Sequence, residues 1–103
     1  MEIQHPGKIL QQELTSKWLT QKVFASMIGK KISEVNELIK WKRNITVQRD
    51  ILLSVVFGDP EQKWIKFQND FDYGIEKIHM AQKIQEILSQ KNKSKEHEVF
   101  QDF

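Results

Sequence analysis

Ser33, Asn36 and Lys40 recur at spacings of three and four residues along one short amphipathic stretch. Stepped round a helix at about 100° per residue, they fall on the side away from Val35, Leu38 and Ile39, and Glu37 shares that outer side. These side-chain types suit the edges of nucleic-acid bases. An Asn amide can bond an adenine edge, a Lys can reach guanine acceptors or a phosphate, and a Ser hydroxyl can serve either. Lys30 and Lys31 precede the stretch, and Lys42, Arg43 and Asn44 follow it. Cations at both ends suit phosphate contacts, which fix register without reading sequence. Thr20 and Gln21 open an earlier segment whose amide-rich start could meet a phosphate oxygen. Glu34 and Glu37 oppose this chemistry unless they are neutralised. Lys30 or Lys31 is expected to pair Glu34. Lys40 is expected to pair Glu37, which could otherwise accept from a cytosine amino group. The plainer alternative is an ordinary solvated helix of mixed charge.

The residues offer little for catalysis. His5, His79 and His97 are widely separated, with no carboxylate at metal-ligand spacing. Asp70 and Asp72 diverge by about 200° on a helix and share no face. There is no Cys, no Gly-rich phosphate loop and no Ser in a strand-turn-helix setting. The expectation is a binding protein, not an enzyme, with no cofactor and no metal.

The stretch needs elements to hold it. Ile9, Leu10 and Leu14 predict a first helix from Lys8 to about Lys17, with Pro6 and Gly7 before it. Thr20 predicts the cap of a second helix, with Phe24, Met27 and Ile28 inward and Ala25 small enough for a close crossing. Gly29 ends it, because Gly enters the left-handed region without steric cost. The third helix is expected over Ile32–Trp41. Two short helices about a single Gly have the layout of a helix-turn-helix. Thr46 predicts the cap of a fourth helix, with Ile51, Leu52, Val55 and Val56 as its apolar face. Gly58-Asp59-Pro60 breaks the chain.

A final long helix is expected from near Pro60 or Glu61. It carries Trp64, Phe67, Phe71, Ile75, Ile78, Ile84, Ile87 and Leu88 at three-to-four spacing, and Gly74 weakens it by about 1 kcal/mol relative to Ala. That stripe is longer than a small core requires. Trp64, Phe67, Phe71, Ile75 and Ile78 are therefore expected at a dimer or partner interface. From Gln90 the composition reads as a frayed tail, with Val99, Phe100 and Phe103 as apolar exceptions.

Composition sets the frame. A chain of 103 residues with 39% apolar and 29% charged residues suits one globular core. Two Pro and four Gly favour long helices over a turn-rich β fold. Net charge is only +2, but from Lys17 to Arg49 eight basic residues face two acids, a local charge of +6. Such a field matches the footprint of phosphate contact. The first residues lack the pattern of a secretion signal, and no run approaches about 18 apolar residues, so the cytoplasm is the expected compartment.

Several strings resemble one family in order and spacing. They are His5-Pro6-Gly7-Lys8-Ile9-Leu10, then Thr20-Gln21 with Ala25 and Gly29, then Asn36-Glu37-Leu38-Ile39 through Lys42-Arg43-Asn44-Ile45-Thr46, and finally Trp64 to Asp72. Together they resemble the HigA/VapI-type antitoxins of the XRE, or lambda-repressor-like, helix-turn-helix superfamily, over about His5 to Tyr73. The resemblance implies an all-α chain: a five-helix domain over residues 1–73, with an extended C-terminal helix and tail over 74–103. It implies a homodimer that binds double-stranded operator DNA and represses its own operon. It also implies a cognate toxin, typically a RelE-like ribonuclease, neutralised by direct contact. The family's recognition helix maps to about Ile32–Trp41. Its DNA-facing positions map to Lys31, Ile32, Ser33, Glu34, Asn36 and Glu37, with Lys42, Arg43 and Asn44 near phosphate.

The chain also departs from the family. Lys40-Trp41 stands where Asn-Gly is common, and Trp takes left-handed angles only at a cost, so the third helix is expected to end differently or run on by a residue. Lys30-Lys31 stands where many members have Val-Ser, so the usual cap is missing and Ser33 is expected to cap a later start. Two rival readings follow: a toxin- or partner-binding module that has lost DNA binding, and a phage-type repressor without a toxin.

Overall fold

The computed structural model describes residues 4–97. Among them there are six helices and no strands: α1 Pro6–Ser16, α2 Gln21–Ile28, α3 Ile32–Ile39, α4 Val47–Phe57, α5 Lys63–His79 and α6 Ala81–His97. Val99, Phe100 and Phe103 lie outside the described residues. Two compact units divide between Tyr73 and Gly74.

The first unit closes round Leu10, Leu14, Phe24, Ala25, Val35, Leu38, Ile45, Leu53 and Trp64. Within it α1 and α2 both pack on α3, and α2 also packs on α4. The α1 helix begins two residues earlier than its apolar pattern implied. His5 is its N-cap, with Nδ1 accepting from the Gly7 N–H at 2.9 Å, and Pro6 opens the first turn. Gly7 therefore lies inside the helix. A Cβ there would stand 2.1 Å from the Leu38 carbonyl oxygen, so only Gly lets α1 meet the end of α3 this closely. As expected, Thr20 and Thr46 cap α2 and α4, and Gly29 ends α2 at φ +67°.

Two inward faces differ from their predicted ones. Met27 is about half exposed, and Phe24 with Ala25 forms the buried side of α2. On α4 the buried residues are Asp50, Leu53 and Ser54, whereas Val47, Ile51 and Val55 face solvent. The cause is Asp50. Its carboxylate accepts from the N–H of Gln62 at 2.9 Å, of Trp64 at 2.8 Å and of Ile65 at 3.0 Å. A helix start must find partners for its free N–H groups, and α5 finds them in a carboxylate projected from α4. That rotates α4 so that a charged residue faces inward and Val47, Ile51 and Val55 face out, while Val56 packs against the core as expected and Leu52 is half-buried. Gln68 makes a second buried join: Oε1 accepts from the Ile45 N–H at 2.7 Å and Nε2 donates to Asp72 at 3.0 Å.

Trp64 is fully buried in this core. This corrects its expected place at an interface. Its ring lies 5.9 Å from Phe57 and 5.6 Å from Phe67, and its Nε1–H donates to Asp59 at 3.0 Å, so the domain itself consumes the side chain. Phe67 packs on the same core and Phe71 is half-buried against His5 and Trp41.

In the second unit the expected single last helix is interrupted at Met80, between α5 and α6. The interruption is one residue wide. Met80 still donates to the Glu76 carbonyl at 2.9 Å and accepts from Ile84 at 2.8 Å. The stretch after Gln90 is helical to His97, not frayed as its composition implied. Ile75 is half-buried, and Ile78, Ile87 and Leu88 are exposed.

Candidate nucleic-acid interface

The α3 helix presents two chemically distinct sides. Val35 and Leu38 are buried, while Ile32, Ser33 and Lys40 are open to solvent and Asn36 and Glu37 are part-exposed. Helix formation begins at Ile32 with Lys31 as N-cap, and no side chain supplies the cap bond. Ser33 therefore lies within the first turn and caps nothing, contrary to expectation.

The far end of α3 is where the sequence departs most from its resemblance. The helix stops at Ile39, and Trp41 takes φ +68°. Lys42 N–H donates to the Glu37 carbonyl at 2.8 Å and Trp41 N–H to the Leu38 carbonyl at 3.2 Å. That bond pair is a Schellman cap, in which Gly usually holds the left-handed position. A side chain there costs roughly 1–2 kcal/mol. The indole offsets this by stacking on His5, with centroids 5.4 Å apart and planes at 17°, and by meeting the Phe71 edge at 6.0 Å. The helix thus ends where Asn-Gly would end it, through a different residue. The chain is then turned so that Lys42, Arg43 and Asn44 emerge exposed directly after it.

The other predicted site residues take definite places. The Thr20 hydroxyl is occupied by the Val23 N–H at 3.1 Å. Gln21, the first residue of α2, accepts through Oε1 from the Asn36 amide at 3.1 Å, so the start of α2 is tied to the outer side of α3. Asn36 keeps its carbonyl oxygen and one N–H for another partner. Lys30 donates to Gln48 at 3.4 Å. Among the described residues, Lys31, Lys40 and Lys42 form no ion pair.

Both acids on α3 are neutralised, though not by the expected lysines. Arg49 on α4 donates Nε to Glu34 at 3.1 Å and a terminal nitrogen to the Asn44 carbonyl at 3.1 Å. Arg43 pairs Glu37, and that hydrogen bond and the carboxylate's charge hold the guanidinium above its ordinary pKa. Sequence reasoning missed Arg49 as part of the site. Its partner lies 15 residues away on another helix, beyond the reach of any local spacing rule.

Among the described residues no group of His, Cys, Asp or Glu could hold a metal ion, and no helix is long and apolar enough to cross a membrane. The α3 surface is thus a small polar face with both carboxylates paired and free cations at either end.

Comparison with known proteins identifies the fold. The structure superposes on a HigA-family addiction module antidote protein from Coxiella burnetii with a TM-score of 0.77 at 24% identity, covering 84% of this chain and 95% of that one. It superposes on the Pseudomonas aeruginosa protein PA4674, solved in complex with its operator DNA, with a TM-score of 0.78 at 22% identity, covering 82% of this chain and 94% of that one. The Pseudomonas aeruginosa antitoxin HigA, solved with the higBA promoter, gives 0.75 at 23% identity, covering 81% and 91%. The fold is that of the HigA antitoxins. In sequence, the chain is 32% identical over 69 residues to virulence-associated protein I of Dichelobacter nodosus, covering 66% of this chain. It spans 64% of that relative's length. No protein-family model matches. The match bears out the all-α class, and among the described residues the helices number six where five, the last extended, were expected.

Proposed function

We propose that this chain is a DNA-binding antitoxin that represses its own operon and neutralises a cognate toxin by direct contact. The observation that carries the reading is the outer side of α3. Its polar side chains are open, its two acids are held by Arg43 and Arg49, and Lys31, Lys40 and Lys42 stand unpaired among the described residues. A polyanion meets no uncompensated carboxylate there. Two solved proteins of the same fold carry operator or promoter DNA, which supports the assignment.

In this reading residues 1–73 are the DNA-binding domain and 74–103 an extension. Thr20 and Gln21 sit by one phosphate strand, Lys31, Ile32, Ser33, Asn36 and Glu37 face the major groove, and Lys40, Lys42, Arg43 and Asn44 reach backbone. Glu34 serves as the anchor of Arg49 and not as a reader of bases. The protein acts in the cytoplasm as a homodimer. The uncharged outer side of α4, with Val47, Ile51 and Val55 exposed, is a face a second copy would cover. The toxin is a RelE-like ribonuclease.

A gel shift over a salt series, with the duplex immediately upstream of the coding sequence, tests the DNA-binding reading. Affinity falls steeply with salt as phosphate contacts release counterions. Changing Lys42 and Arg43 together to Glu abolishes retention with helix content unchanged. Undiminished binding by that double variant would remove those residues from the site. Co-purification with the product of the adjacent gene tests the toxin.

A further inference from the structure

Trp18 is the most exposed large apolar residue of the described chain, at 92%, and its backbone lies in the left-handed region at φ +58°. It holds the same place after α1 that Trp41 holds after α3. Leu19 N–H reaches the Leu14 carbonyl at 2.9 Å and Trp18 N–H the Thr15 carbonyl at 3.2 Å. Yet the compensation found at Trp41 is missing. Among the described residues the Trp18 ring touches no other ring, and its indole N–H has no acceptor, unlike that of Trp64. A large side chain in a strained position with nothing folded against it is characteristic of an intermolecular contact.

We propose that Trp18 packs on the sugar–phosphate backbone of duplex DNA, beside the groove that α3 faces. The proposal rests on the DNA-binding reading above. Charge selects this occupant over a protein surface. From Thr15 to Ser33 the chain carries Lys22, Lys30 and Lys31 and no acid, besides Lys17, whose charge is met by Glu13 at 3.5 Å. Position agrees: Trp18 comes three residues before Gln21, which is bonded to Asn36 on the outer side of α3. The flat ring covers deoxyribose, and Nε1–H, a donor only, meets a phosphate oxygen.

The test uses the full chain, the duplex upstream of its coding sequence and a random-sequence duplex. Trp18→Gly relieves the backbone strain, so the variant melts no lower than the parent and cannot fail by unfolding. Its affinity for both duplexes falls equally, by about tenfold, with the salt slope unchanged because no cation is lost. Trp18→Phe, which keeps a ring without the N–H, falls between. If Trp18→Gly binds both duplexes as the parent does, the proposal is overturned. If it does so and instead loses the adjacent gene's product on co-purification, the anchor belongs to a protein. If the unaltered chain retains neither duplex, the DNA-binding reading fails, and the proposal with it.

Discussion

The amide of Asn36 is bonded to the amide of Gln21 at 3.1 Å, joining the outer side of α3 to the first residue of α2. One bond therefore couples the rotamer of a base-reading candidate to the first residue of α2. Each amide retains hydrogen-bonding capacity toward a ligand.

Replacing Asn36 by Ala removes both the bond and the reader. Discrimination at one base pair of the operator falls by about 1–3 kcal/mol, while binding to random duplex changes little. Gln21→Leu frees Asn36 without deleting it and costs a smaller share of the same discrimination. Competition binding with single-base-pair operator variants measures both effects, and a uniform loss over all sequences would refute the base-reading role.

The Glu37–Arg43 pair gives a prediction of opposite sign. Glu37→Gln removes an acid from the face and releases a guanidinium. Duplex affinity rises at low salt, and the slope of log affinity against log salt steepens by about one phosphate contact. An unchanged slope in a salt titration would show that Arg43 meets no phosphate.

His5 makes the domain sensitive to acid. It is 2% exposed, and its Nδ1 must be unprotonated to accept from Gly7. Burial lowers its pKa from the ordinary 6.5, against a smaller opposing pull from Asp72. Below 6.5 the unfolded chain then binds more protons than the folded one, so stability is full above that pH and is lost as pH falls towards the folded-state pKa. His5→Asn keeps an N-cap acceptor that does not titrate. Thermal melts over roughly pH 5 to 7 should slope for the parent and lie flatter for the variant.

Gly7→Ala is a strong structural test. The new methyl meets a backbone carbonyl that cannot rotate away, so α1 and α3 must separate. Destabilisation of about 1–3 kcal/mol or more follows, visible as a lower midpoint in urea.

Asp50→Ala leaves three N–H groups at the start of α5 without their carboxylate, that of Trp64 in the buried core. The cost is roughly 2–3 kcal/mol by the same measurement. Asn in its place recovers part of it.

Helix positions and caps were legible because they are written in local chemistry: Thr20, Gly29 and Thr46 act where their types predict. The inward side of α4 was not legible. Ile51 and Val55 carry the apolar signal, yet the demand of α5 for a carboxylate turns Asp50 inward, and that demand comes from another element. The end of α3 was misread for a related reason. Trp41 is unfavourable locally and acceptable only because His5 and Phe71, more than 25 residues away on either side, complete its surroundings. The outer residues of α3 were readable from spacing alone, whereas the partners of its acids depended on how the helices cross.

Because α5 takes its first hydrogen bonds from a side chain of α4, neither helix is an independent folding block. Losing α4 strips α5 of its starting point, and peeling α5 away strands a buried carboxylate. The domain should accordingly melt in one cooperative step, with the α3 surface disappearing at the same temperature as the helix that leads into the C-terminal extension.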